Sequence, residues 1–113
     1  MLIGVIDNGC PFAHPDLLRP DGQPRVLRLW NQQDSPLPAR APAGFGYGCE
    51  LTRSDLFAAI QASGGAGDAA TAYRLAGLGP LQRRHSHGAH VTGLLAGSRR
   101  WSPSTRHGVP LRE

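Results

Sequence analysis

The residues of this chain best placed to do chemistry are one acid and one imidazole, 80 positions apart. Asp7 ends the apolar run Leu2-Ile3-Gly4-Val5-Ile6 and is followed by Asn8-Gly9-Cys10, then by His14-Pro15-Asp16-Leu17. His87 opens the run His87-Gly88-Ala89-His90-Val91-Thr92-Gly93-Leu94-Leu95-Ala96-Gly97. A serine hydroxyl is a poor nucleophile until a base takes its proton. An imidazole is such a base, and a carboxylate behind it fixes the accepting tautomer and stabilises the cation that forms. Asp7 and His87 could thus supply two of the three members of a charge-stabilised nucleophile system. The third is not evident. Ser102 and Ser104 flank Pro103 and lack the small-residue turn and following helix that would present a nucleophile.

The elements around these residues would have to position them. Leu2 to Ile6 is a continuous, β-branched apolar run, which reads as a buried parallel strand. That strand would deliver Asp7 at its carboxyl end, where open α/β sheets build their sites, with Gly9 free to turn. Ser86 reads as the cap of a helix from His87 to about Ala96, with Gly97 as its stop and Val91, Leu94 and Leu95 as its buried stripe. Gly88 and Gly93 weaken that helix and suggest close backbone packing. The helix dipole at His87 opposes an imidazolium, whereas the acid favours it.

Between the two segments, Pro20 to Pro24 reads as a turn and Arg25 to Trp30 as a second strand with one face buried. Residues 31 to 50 are rich in Pro and Gly and predict an extended excursion. Thr52 predicts a helix cap with Asp55 in the first turn, and Leu56, Phe57 and Ile60 give that helix an apolar face. A further short helix is predicted around Ala69 to Ala76. Residues from about 31 to 84 are expected to lie outside the central sheet as an insertion, most open to proteolysis at Gly64-Gly65-Ala66-Gly67. Residues 98 to 113 predict no regular element.

Composition limits the alternatives. At 113 residues, 40% hydrophobic and 18% charged, the chain is at most one small globular domain. Its net charge of +4 rests on twelve arginines and no lysine. They are scattered from Arg19 to Arg112 without interleaved aromatic residues, which argues against nucleic acid as a partner. No run approaches the roughly 18 apolar residues of a membrane span, so no membrane partner is expected. No basic region and cleavage site precede the first strand, and an intracellular location is expected. Cys10 and Cys49 form no metal or redox pair motif and read as two small reduced hydrophobes, a disulfide between them remaining open. His85, His87 and His90 invite a metal reading with Asp7 as a fourth ligand; the simpler reading takes no metal.

Together the two segments resemble the subtilisin-like serine peptidases (subtilases), whose triad runs in the order Asp, His, Ser. Asp7, Gly9 and His14-Pro15-Asp16-Leu17 follow the pattern D-x-G-x-x-x-x-H-P-D-L, and His87-Gly88-x-His90-Val91-x-Gly93 follows H-G-T-H-V-A-G. Asn8, Cys10 and Ala89 depart from the residues usual there. The stretch between the segments looks like the long insertion of some bacterial subtilases, and the resemblance spans about residues 2 to 98. It implies an α/β fold, a partial three-layer subtilisin-like arrangement with a parallel sheet flanked by helices. Within it would lie an Asp motif at 2–17, an insertion at about 31–84 and a His-motif helix at 86–97. It implies a serine-type endopeptidase acting on a peptide or protein substrate, with Asp7 as triad acid and His87 as triad base. The serine would come from elsewhere, such as a missing C-terminal part of the domain, so the 113 residues alone are expected to be inactive. No cofactor is implied, although Asp16 matches a position that binds calcium in some complete subtilase domains. The rival reading is a non-catalytic truncated fragment or interaction module. Strands left without covering helices would make the piece marginally stable.

Overall fold

A computed structural model describes residues 1–33, 40–65, 67–78 and 87–97. Two short strands, β1 (Arg28–Asn31) and β2 (Cys49–Thr52), pair antiparallel with Leu29 opposite Leu51 and Asn31 opposite Cys49. Alternation sends Leu29 and Asn31 inward with Cys49 and Leu51, while Arg28 and Glu50 meet on the outer face at 3.0 Å. The buried Asn31 is satisfied, since its Nδ2 donates to Gly77 O and its Oδ1 accepts from Gln33 N.

Helix α1 (Arg53–Ala62) leaves β2 without a loop because Thr52 closes a capping box. Thr52 Oγ1 accepts from the Asp55 amide and Asp55 Oδ2 accepts from the Thr52 amide, which satisfies two amides that the helix leaves orphaned. The Thr52 amide, with a smaller contribution from Arg40, holds the Asp55 carboxyl below its usual range. Its far end is closed by two backbone bonds, Gly64 N to Gln61 O and Gly65 N to Ile60 O, the Schellman pattern. Helix α2 (Ala69–Leu75) is capped by Asp68 and closes in the same way, Gly77 N to Arg74 O and Leu78 N to Tyr73 O. These signals are local, and they place both helices where the sequence predicts them.

The core lies between β1, β2, α1, α2 and the turn before Leu17. Phe12, Leu17 and Leu56 are fully buried, and the Phe12 and Tyr73 rings meet edge to face at 5.3 Å. Burying side chains of this size contributes about 1.5–3 kcal/mol each. Helix α3 (His87–Ala96) stands to one side and meets the short 3-10 turn Pro15–Leu17.

Three expectations are corrected here. First, the fold is not a three-layer α/β arrangement. The described residues hold one two-stranded antiparallel sheet and three helices, with no parallel sheet. Leu2 to Ile6 forms no strand, and Leu2 and Ile6 are 80% and 97% exposed. A continuous apolar run becomes a central strand only where neighbours pair its backbone and layers cover both faces, and among the described residues neither surrounds it.

Second, the stretch expected outside the central sheet supplies β2, one of the two paired strands, and much of the core as well: nine of the thirteen buried apolar residues among the described residues lie between Cys49 and Leu78. Its prolines and glycines cluster in connections, leaving β2, α1 and α2 free to bury apolar faces. Third, α3 does not bury Leu94 and Leu95, which are 75% and 53% exposed; Gly88 and Thr92 face inward instead. Ser86, the cap predicted for α3, and residues 98 to 113 lie outside the described residues.

Candidate active site

The turn after residue 6 and the first turn of α3 meet through two adjacent contacts. Asp7 Oδ2 lies 2.7 Å from His87 Nδ1, and Asn8 Oδ1 accepts from the Gly88 amide at 2.9 Å. Consecutive residues of one segment thus hold consecutive residues of the other, and two such contacts fix orientation as well as distance. The other carboxylate oxygen is also engaged, since the Asn8 amide donates to Asp7 Oδ1 at 2.7 Å. Gly9 then turns the chain away at a φ of 85°, a left-handed conformation that glycine adopts without steric cost.

Gly88 is required by proximity. A Cβ there would lie 2.4 Å from Gly9 O and 2.5 Å from Asn8 O, both backbone atoms with little room to yield. The close packing expected of this glycine is present. Outside its own helix no atom of the described residues lies within 4 Å of a Cβ at Gly93, so it is not a packing glycine among them.

The electrostatics follow from these bonds. The Asn8 amide, ahead of the His87 ring, holds the Asp7 carboxyl below its usual range, and partial desolvation opposes it only in part. A carboxylate at Nδ1 selects the tautomer with the proton on Nδ1, leaving Nε2 as the accepting nitrogen of a neutral ring. That assignment comes from the hydrogen bond. The Asp7 side chain is 19% exposed, although its backbone is open, and the His87 side chain is 72% exposed. An acid held behind an accessible imidazole can orient the ring and stabilise its cation without itself meeting a substrate.

The remaining candidates fall elsewhere. His90 is exposed, against the expectation of a packed structural residue. His14 is a turn residue, as its setting suggested: its Nδ1 accepts from the Asp16 amide at 3.2 Å and caps the Pro15–Leu17 turn. Among the described residues no group of three or more His, Cys, Asp or Glu could hold a metal ion; His85 lies outside them. Asp16 belongs to no such group. Ser102 and Ser104 also lie outside, and the described serines, Ser54 and Ser63, sit in and at the end of α1.

Cys10 and Cys49 are both free thiols, and burial pushes the Cys10 thiol up to about 11. Trp30 is an anchor, its ring against Phe45 at 4.8 Å and Tyr47 at 5.1 Å; Trp101 lies outside the described residues.

Sequence reasoning treated Asn8 only as a departure from the usual residue and missed its role. The signal was available. The first four amides of any helix need acceptors from outside it, and a carboxamide next to the acid is within reach of the helix that brings the histidine. No protein-family model matches this chain, and no curated protein matches it.

Proposed function

We propose that Asp7 and His87 are the acid and base of a serine-type endopeptidase of subtilisin-like chemistry whose serine lies outside these 113 residues. The observation that supports this most is the 2.7 Å contact between Asp7 Oδ2 and His87 Nδ1, made across 80 positions by the two residues the chemistry needs. In the reaction, His87 Nε2 takes the proton of the serine hydroxyl as its oxygen attacks the scissile carbonyl. Asp7 holds Nδ1 and stabilises the imidazolium, which then protonates the leaving amine. Water, activated by the same nitrogen, hydrolyses the acyl intermediate. Asn8 acts one step back, positioning the ring through Gly88.

Hydrolysis also needs a nucleophile and a preorganised oxyanion site. The 113-residue chain therefore should not turn over a peptide substrate, nor be labelled by a serine-directed fluorophosphonate. A longer chain that adds a Gly-Thr-Ser-x-Ala segment should gain activity, which should fall by several orders of magnitude with Asp7→Ala or His87→Ala. Activity of the longer chain that is indifferent to both substitutions would defeat the proposal. Turnover by the 113 residues with labelling of Ser102 or Ser104 would show that the nucleophile had been misplaced.

A further inference from the structure

We propose that the cleft between residues 1–6 and β1 is a docking slot for an extended segment of a partner polypeptide, alternating apolar and acidic side chains, that pairs with the backbone of residues 2–6. The inference does not depend on whether the Asp7–His87 pair ever serves a serine.

The first support is the state of residues 1–6. Leu2, Ile3, Val5 and Ile6 are 80%, 38%, 36% and 97% exposed, and no hydrogen bond joins residues 1–6 to any other described residue. A run this apolar, with its amides and carbonyls unpaired, offers both a main-chain ladder and side-chain contacts to an added strand. The second is the size of the space beside it. The cleft measures about 1230 Å³ and runs from residues 1–6 across β1 to the last turn of α3. That exceeds the roughly 300–1,000 Å³ of small-molecule sites and suits a length of polypeptide.

The third support is charge, which selects the occupant. Of the charged residues on the cleft wall, Asp7 is held by His87 and Arg28 by Glu50, which leaves Arg25 and Arg53 without an acid among the described residues.

A second copy of the chain fits less well, because residues 1–6 carry no acid to offer those arginines. A helix fits less well too, since its backbone is already paired within itself and could not serve residues 2–6.

The test titrates the full chain with a capped eight-residue peptide in which valine alternates with glutamate and threonine, followed by amide NMR shifts. Two control peptides replace glutamate by lysine or N-methylate alternate amides. The acidic peptide should give saturable shifts concentrated at residues 2–6, Leu27 and Thr92. Both controls should bind at least tenfold more weakly, and Arg25→Ala should weaken the acidic peptide several-fold while α1 amides stay in place. Equal binding of the lysine or N-methylated peptide would overturn the proposal, as would shifts elsewhere or no saturable binding. Concentration-dependent self-association that produces the same shifts without peptide would assign the slot to a second copy and likewise overturn it.

Discussion

Two glycines of one helix should respond to alanine with opposite signs. Alanine is favoured over glycine in a helix interior by about 1 kcal/mol; that gain applies in full at Gly93, inside α3, and at most in full at Gly88, in its first turn. At Gly93 no atom of the described residues outside the helix lies within 4 Å of the added Cβ, so the gain stands alone. At Gly88 the Cβ meets Gly9 O at 2.4 Å and Asn8 O at 2.5 Å. Relief requires α3 to retreat from the turn. Overpacking of this kind costs about 1–3 kcal/mol, and losing the Gly88–Asn8 bond adds about 1 kcal/mol. Net of the helix gain, Gly88→Ala should destabilise by about 1–3 kcal/mol. For a domain of this size 1 kcal/mol moves the melting temperature by roughly 4–8 °C, so circular dichroism should place the variants on either side of the parent. In NMR spectra Gly88→Ala should also disturb the His87 ring and the Asn8 side-chain amide, and Gly93→Ala should leave both unchanged. Shifts of the same sign, or an intact His87 environment in Gly88→Ala, would refute the close approach on which the site's geometry rests.

Thr52→Ala removes the capping box and should cost about 1 kcal/mol in denaturant unfolding, with Thr52→Ser retaining most of it; equal loss in both variants would mean that the hydroxyl is not the cap. Asp7 and Asp55 both have carboxyls held below the ordinary value of 3.8, so the unfolded chain binds their protons first as pH falls. Their contribution should be complete above about pH 5 and fade as pH drops through the lowered native values, and a melting series should show Asp7→Asn flattening that fall. With its thiol pushed up to about 11, Cys10 should react with iodoacetamide at pH 7.5 far more slowly in the folded chain than in urea; equal rates would contradict its burial.

What could be read from the sequence was what local chemistry decides. Thr52 with Asp55 and the glycines after α1 and α2 are settled by neighbours within a few positions, and α1 and α2 lie where those signals put them. The approach of Asp7 to His87 was legible for a different reason: two patterned segments imply a common partner for their reactive residues, and the 2.7 Å contact joins those residues. The layer arrangement was not legible, because an apolar run says only that a segment can be buried. Leu2 to Ile6 would read the same whether it pairs with neighbours or stands exposed, and the same ambiguity misassigned Leu94 and Leu95 to a buried face. The stretch from about 31 to 84 was placed outside the sheet by its Pro and Gly content, yet Cys49–Thr52 pairs within the sheet, because the prolines and glycines cluster in the connections.

The site does not rely on a layered sheet. Asp7 and His87 are joined by a turn, a side-chain cap and one glycine that admits no Cβ, all contributed by Asp7 to Gly9 and the first turn of α3. A parallel sheet would position the acid through the strand before it, and here that strand is absent. The acid and the base are instead held directly to each other by paired contacts of adjacent residues. Removing Asn8's acceptor should therefore loosen His87 even with Asp7 intact, and the geometry of the pair belongs to the four residues Asp7, Asn8, His87 and Gly88 more than to the fold around them.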